Sequence, residues 1–241
     1  MARNFVIVSG GPGLYVACDP DHDKSWSNYV DNILLLAANS NFPKQNDEEV
    51  WWLVYEPAYD ARWSDDISNG RQSTKDIKAK GSTSYKNHLE KRAKKYSWKL
   101  RWLTKGDDFW SKLKTFRDPV SRVWYFGHAR DDLWLSLNHN GCTAVAPASS
   151  AIIRCTDIAS QTAIKTHMQA GGSKYDANRS SRFYGCNSAK FAQEFAKAYG
   201  VYAEGAVGNV DFTKAHSAGG KLNAILTGCS WKTYDTSGNS I

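Results

Sequence analysis

Short apolar runs of strand length alternate with helix-length segments along most of this chain, and that alternation limits the folds open to it. FVIVS (5–9), EVWWLVYEP (49–57), KLRWLT (99–104), VSRVWYFGHA (120–129) and SRFYGC (181–186) read as strands. Between and after them, WSNYVDNILLLAA (26–38), SYKNHLEKRAKKYSW (84–98), TKGDDFWSKLKTF (104–116) and NSAKFAQEFAKAYG (187–200) read as helices. Asp107 and Asp108 complement a helix N-terminus, and Gly200 closes the last helix. Strands separated by helices predict a mainly parallel sheet with helices on both faces, a three-layer α/β domain. VYAEGAVGNV (201–210) predicts a further strand, DLWLSL (132–137) a short strand or hairpin arm, and RCTDIASQTAIKTHMQA (154–170) a helix capped by Thr156 or Asp157. The polar stretch 59–82 shows no periodicity and reads as a long loop. No repeat or linker divides the 241 residues, so a single domain is expected, with 1–48 as an N-terminal extension of its core.

Composition narrows the class. Charged residues make up 23% and hydrophobic residues 41%, which excludes a disordered chain and predicts a soluble globular one. No apolar run approaches the ~20 residues of a membrane span, so no membrane partner is expected. MARNFVIVSGGPG has too short an apolar core for a secretory leader. The expected location is cytoplasmic, or outside the cell by a signal-peptide-independent route. Net charge is +7, and much of the excess lies in 78–101. No nucleic-acid motif accompanies it, so the reading is the wet face of a helix rather than a nucleic-acid surface. The five cysteines (Cys18, Cys142, Cys155, Cys186 and Cys229) are odd in number and lack C-x-x-C spacing, which argues for reduced thiols over zinc or a disulfide framework.

Two of the strands end on residues that carry chemistry. In open α/β sheets, ligands bind beyond the carboxyl ends of the strands. His128 ends VWYFGHA there, and Cys186 ends RFYGC there, immediately before a helix. A thiol attacks a carbonyl as thiolate, and an imidazole and a helix N-terminus both favour that form. Helix N–H groups starting at Asn187 or Ser188 would also receive an oxyanion, and Gly185 lets the backbone turn. A packed core cysteine and a structural histidine are the plain readings of each residue alone. Their equivalent positions on two strands make the pair the stronger reading.

From about residue 50 to 210 the chain resembles the caspase-hemoglobinase fold of cysteine peptidases, which holds caspases, metacaspases, gingipains and separases. That family places a His after one core strand and a Cys after the next. WYFGHA with His128 and FYGCNSA with Cys186 and Ser188 match those elements, 58 residues apart, against about 50 in caspases. The resemblance implies a caspase-like sheet and a cysteine endopeptidase with His128 and Cys186 as its dyad. It implies oxyanion donors at the backbone of Ala129, Gly185 and Cys186, and peptide or protein substrates. Ala129 stands where the family has Gly, and caspase-type specificity is not implied, because Q-A-C-x-G is absent. DARWSDD (60–66) matches the place of a first specificity pocket, which makes Asp60, Arg62 and Asp65 pocket candidates, with Ser188 beside the nucleophile. Acidic residues there suit a basic substrate side chain, and Arg62 an acidic one.

No cofactor is expected. CDPDHD (18–23) clusters carboxylates with His22 and suits a calcium ion or, more plainly, a solvated loop, and the family's calcium-activated members keep the ion open. SGGPG (9–13) lacks the spacing of a phosphate loop and reads as a turn. His139, His167 and His216 are rival bases, and Asn187 or a carbonyl is a candidate to orient His128. The functional alternatives are a non-catalytic binding module of the same fold, a bacterial effector or toxin using this hydrolase and held by an inhibitory partner protein, and a nucleic-acid protein using 78–101.

Overall fold

The computed structural model describes residues 2–14, 25–39, 42–130, 134–137, 149–168, 176, 179–214, 219 and 221–241. In chain order the elements are β1 (Arg3–Ser9), α1 (Asn28–Ala38), β2 (Glu48–Tyr55), α2 (Glu56–Ser68), α3 (Gln72–Ala79), α4 (Tyr85–Lys95), β3 (Lys99–Leu103), α5 (Asp107–Thr115) and β4 (Val120–Phe126). They continue with β5 (His128–Arg130), β6 (Trp134–Ser136), β7 (Ile152–Arg154), 3-10 helices at Cys155–Ser160 and Thr162–Thr166, β8 (Ser181–Tyr184), α6 (Ala189–Tyr199), β9 (Ala203–Gly208), α7 (Leu222–Ile225) and β10 (Cys229–Tyr234).

A seven-stranded sheet runs β3-β2-β1-β4-β8-β9-β10, parallel except for β10. Side chains alternate along each strand and therefore build two cores. Val6, Val8, Val123 and Tyr125 face α5, the 3-10 helices and α6. Phe5, Ile7, Trp124 and Phe126 face the other way, against α1 and α4. The architecture is therefore the expected three-layer α/β arrangement, consistent with a caspase-like sheet. A second sheet of β5, β6 and β7 is antiparallel and small.

Within 1–48, read as an extension, β1 and α1 belong to the core: β1 pairs with β2 on one side and β4 on the other, and α1 packs on the sheet. After β3 the chain crosses back over β1 to start β4, so strand order reverses between β1 and β4. Crevices at such reversals are where open α/β sheets hold ligands.

Three local readings change. The stretch 59–82 is helical: α2 starts directly after β2 with Pro57 in its first turn, and α3 follows. Its periodicity is hidden because it buries polar side chains, Arg62, Asp66 and Thr74. The segment from 154 forms two 3-10 helices instead of one α-helix. The strand read as 120–129 breaks at Gly127: β4 ends at Phe126 and His128 opens β5.

One buried ion pair ties the sheet's amino end. Arg122 of β4 and Glu48 of β2 meet at 2.7 Å, both essentially inaccessible. Glu48 also accepts from the Ser121 hydroxyl at 2.7 Å and the Gln45 N–H at 2.9 Å. The Arg122 guanidinium lies 4.0 Å from the Phe5 ring centroid. Burial pushes its pKa down to about 10 against the opposing pull of Glu48.

Candidate active site

The ends of β4 and β8 lie side by side. Tyr125 pairs with Phe183 and Phe126 with Tyr184, and the Gly127 N–H donates to the Tyr184 carbonyl at 3.2 Å. Two residues past the last residue of each strand come His128, which opens β5, and Cys186. Phe126 and Tyr184, the last paired residues, stack at 4.8 Å on the α1 side. His128 meets Tyr29 of α1, and Cys186 packs on the same core layer as Tyr29. Both His128 and Cys186 are half-buried, which leaves each within reach of solvent.

The backbone at this edge is shaped by glycines. A Cβ on Gly185 would lie 2.8 Å from the Ala129 methyl and 3.0 Å from the Gly127 carbonyl. A Cβ on Gly127 would lie 2.4 Å from the Tyr125 hydroxyl. That hydroxyl is shared between the carbonyls of His128 (2.5 Å) and Ser136 (2.6 Å), so it pins the main chain of the histidine. Burial, with the nearby Cys186 adding to it, holds the Tyr125 pKa well above its ordinary value, so the phenol stays a donor.

Around the sulfur, the Val210 N–H donates to Cys186 Sγ at 3.3 Å. An anionic sulfur gains more from such a donor than a neutral one. The next residue, Asn187, has φ +54°, a left-handed conformation that asparagine tolerates better than most residues. It is held by a reciprocal pair, its N–H on the Gly208 carbonyl at 2.9 Å and its Oδ1 under the Gly208 N–H at 2.8 Å. The Cys186 N–H itself meets no acceptor among the described residues, whereas the Gly185 N–H is spent on Phe183 at 3.1 Å. Gly185 is thus no oxyanion donor. Ala129 stands opposite Leu135 in the small antiparallel sheet. The helix α6 begins at Ala189, later than the expected 187 or 188.

Tyr29 was not legible as a site residue. Its hydroxyl and His128 Nε2 are 2.6 Å apart, its ring lies 5.1 Å from the imidazole, and Phe212 closes the other side at 4.9 Å. It takes the orienting place considered for Asn187, which is occupied with Gly208. An aromatic on an amphipathic helix carries no sequence mark that separates this role from core packing.

The other candidates fall away from the pair. Ser188 is buried and its hydroxyl bridges strands, donating to the Phe183 carbonyl and accepting from the Ala206 N–H at 3.1 Å, so it lines no substrate pocket. Arg62 is buried in an ion pair with Asp66 at 2.9 Å and donates to the Gly13 carbonyl at 3.1 Å, so it braces the glycine turn instead of facing a substrate. Asp65 accepts from Asn69 at the C-terminus of α2. Asp60 is exposed and pairs with Lys86 at 3.2 Å. His167 lies at the wrong edge, its carbonyl accepting from Val120 at the amino end of β4. His139, His216 and the 18–23 stretch lie outside the described residues, as do Cys18 and Cys142. No group of three or more His, Cys, Asp or Glu able to hold a metal occurs among the described residues.

The glycine turn after β1 is built for close packing. The Gly10 N–H donates to Phe126 at 2.8 Å and the Gly11 N–H to Leu137 at 2.7 Å, which leaves neither for a phosphate. A Cβ on Gly11 would sit 2.1 Å from Ala58 Cβ of α2. Gly11→Ala is therefore expected to destabilise the fold by about 1–3 kcal/mol, read by urea unfolding. A loss under about 0.5 kcal/mol would mean that α2 moves freely from the turn.

No family model, no curated protein and no solved structure matches the chain.

Proposed function

We propose that the protein is a cysteine hydrolase, in first place an endopeptidase acting on peptide or protein substrates, with Cys186 as nucleophile and His128 as its acid–base partner. The observation that supports this reading is that β4 and β8 are direct neighbours, with His128 and Cys186 each two residues past their last paired residues, His128 meeting Tyr29 and Cys186 packing on the same core layer. In this reading His128 is the tautomer whose Nε2–H donates to Tyr29, so Nδ1 holds the lone pair. Nδ1 takes the thiol proton, Sγ forms a bond to the scissile carbonyl carbon, and the carbonyl π pair moves onto oxygen. The Cys186 N–H donates to that oxyanion. Collapse breaks the C–N bond, and the imidazolium protonates the departing amine. Water, deprotonated by the same imidazole, then releases the acid from the thioester and restores the thiol.

The test combines a fluorogenic peptide mixture with mapping of iodoacetamide labelling by mass spectrometry. Cys186 is expected to label much faster than Cys155 and Cys229, and His128→Ala is expected to slow it. Equal labelling of wild type and His128→Ala, together with no cleavage of any peptide, would return the chain to a binding module of the same fold.

Tyr29 acts in this scheme as a positioning residue. Tyr29→Phe keeps the ring and removes the hydroxyl that holds Nε2. It is expected to lower kcat about tenfold at unchanged KM, the size of one hydrogen bond to a charged partner. A change in KM alone would assign Tyr29 to substrate contact instead.

A further inference from the structure

On the sheet face opposite His128 and Cys186, a groove of about 650 Å³ runs between α6 and the two 3-10 helices. Its volume is in the range of small-molecule sites. Ile158, Ala159, Ala198 and Tyr199 give it an apolar lining. Tyr199 adds no free polar group, since its hydroxyl donates to the Ile158 carbonyl at 3.2 Å and burial raises its pKa. The rim has the opposite character. Lys165, Lys190 and Lys197 stand there against a single carboxylate, Glu194. Glu194 pairs with Lys190 at 2.7 Å, so Lys165 and Lys197 meet no carboxylate among the described residues.

We propose that this groove binds a single-chain fatty carboxylate, with the alkyl chain along the apolar lining and the head group between Lys165 and Lys197. Charge complementarity selects this occupant. A neutral chain would leave both ammonium groups unused, a cationic amphiphile would be repelled, and a compact anion without a tail would leave the apolar lining wet. The lysine stems themselves extend that lining while their heads stay in water.

The experiment is titration calorimetry of the full chain with sodium laurate below its micelle concentration, with dodecanol and dodecyltrimethylammonium as comparison ligands. Laurate is expected to bind at one site, dodecanol more weakly, and the ammonium compound not at all. The double variant Lys165→Ala/Lys197→Ala is expected to weaken laurate about tenfold, which two partly exposed ion pairs supply. Ala198→Phe, on a half-buried position of α6, fills the groove and is expected to abolish binding; circular dichroism verifies that it folds. The proposal is overturned if folded wild type does not bind laurate, or if binding is indifferent to both variants. It is equally overturned if the ammonium compound binds as well as laurate, or if an acidic leucine-rich peptide occupies the groove and laurate does not.

Discussion

Replacing Cys186 by Ala is expected to remove peptide cleavage altogether, with kcat/KM down by about 10⁴-fold or more. The sulfur forms the bond to the substrate in the proposed reaction. Among the described residues, the rival thiol beside it is a poorer nucleophile. Cys229 packs on the same core layer, but burial, with the nearby Cys186 adding to it, raises its pKa, and its Sγ donates to the Leu226 carbonyl at 3.4 Å. Cys229→Ala is therefore expected to leave the rate within about twofold, because only large losses of transition-state stabilisation move it further. His128→Ala should fall nearly as far as Cys186→Ala, and the double variant hardly further, since nucleophile and base act as a unit. Full additivity of the two losses would break the dyad reading. Growth arrest on expression of the wild type, relieved by Cys186→Ala, would place the activity in an effector or toxin.

The largest expected loss of stability comes from Glu48→Ala. It strips from Arg122 the one carboxylate that the arginine meets among the described residues, and the guanidinium is inaccessible between Glu48 and the Phe5 ring. Breaking a buried pair from one side costs about 3–5 kcal/mol, because the remaining charge has no water to turn to. Arg122 already hands one N–H to the Pro43 carbonyl at 2.6 Å, and that bond cannot replace the lost counter-charge. The double change Glu48→Leu with Arg122→Met removes both charges and should recover most of the loss. Urea unfolding of the three proteins checks this. A single-variant loss below about 1 kcal/mol would show that the site takes in water.

Much of the fold was legible. The runs that form β1, β2, β3, β4 and β8, and the patterns that form α1, α4, α5 and α6, were placed within a few residues, because each carries its own periodicity. The segments that misread share a cause. In α2 the buried side chains include Arg62 and Asp66, which satisfy each other, so the stripe that normally betrays a helix is polar. At Gly127 the chain leaves one sheet for another, and a single glycine in an apolar run does not announce that. Ser188 and Arg62 carried the residue types of a pocket but were spent on holding strands and a turn together.

The sequence by itself determined a parallel α/β sheet and two chemically able residues beyond strand ends, His128 and Cys186, since both follow from local pattern. Only the tertiary structure decided that β1 lies between β2 and β4, that β4 and β8 are direct neighbours, and that Tyr29 reaches His128 from α1. Those are pairings between residues far apart in the chain. They are settled by which apolar faces bury one another and which polar groups satisfy one another, and no local period encodes either.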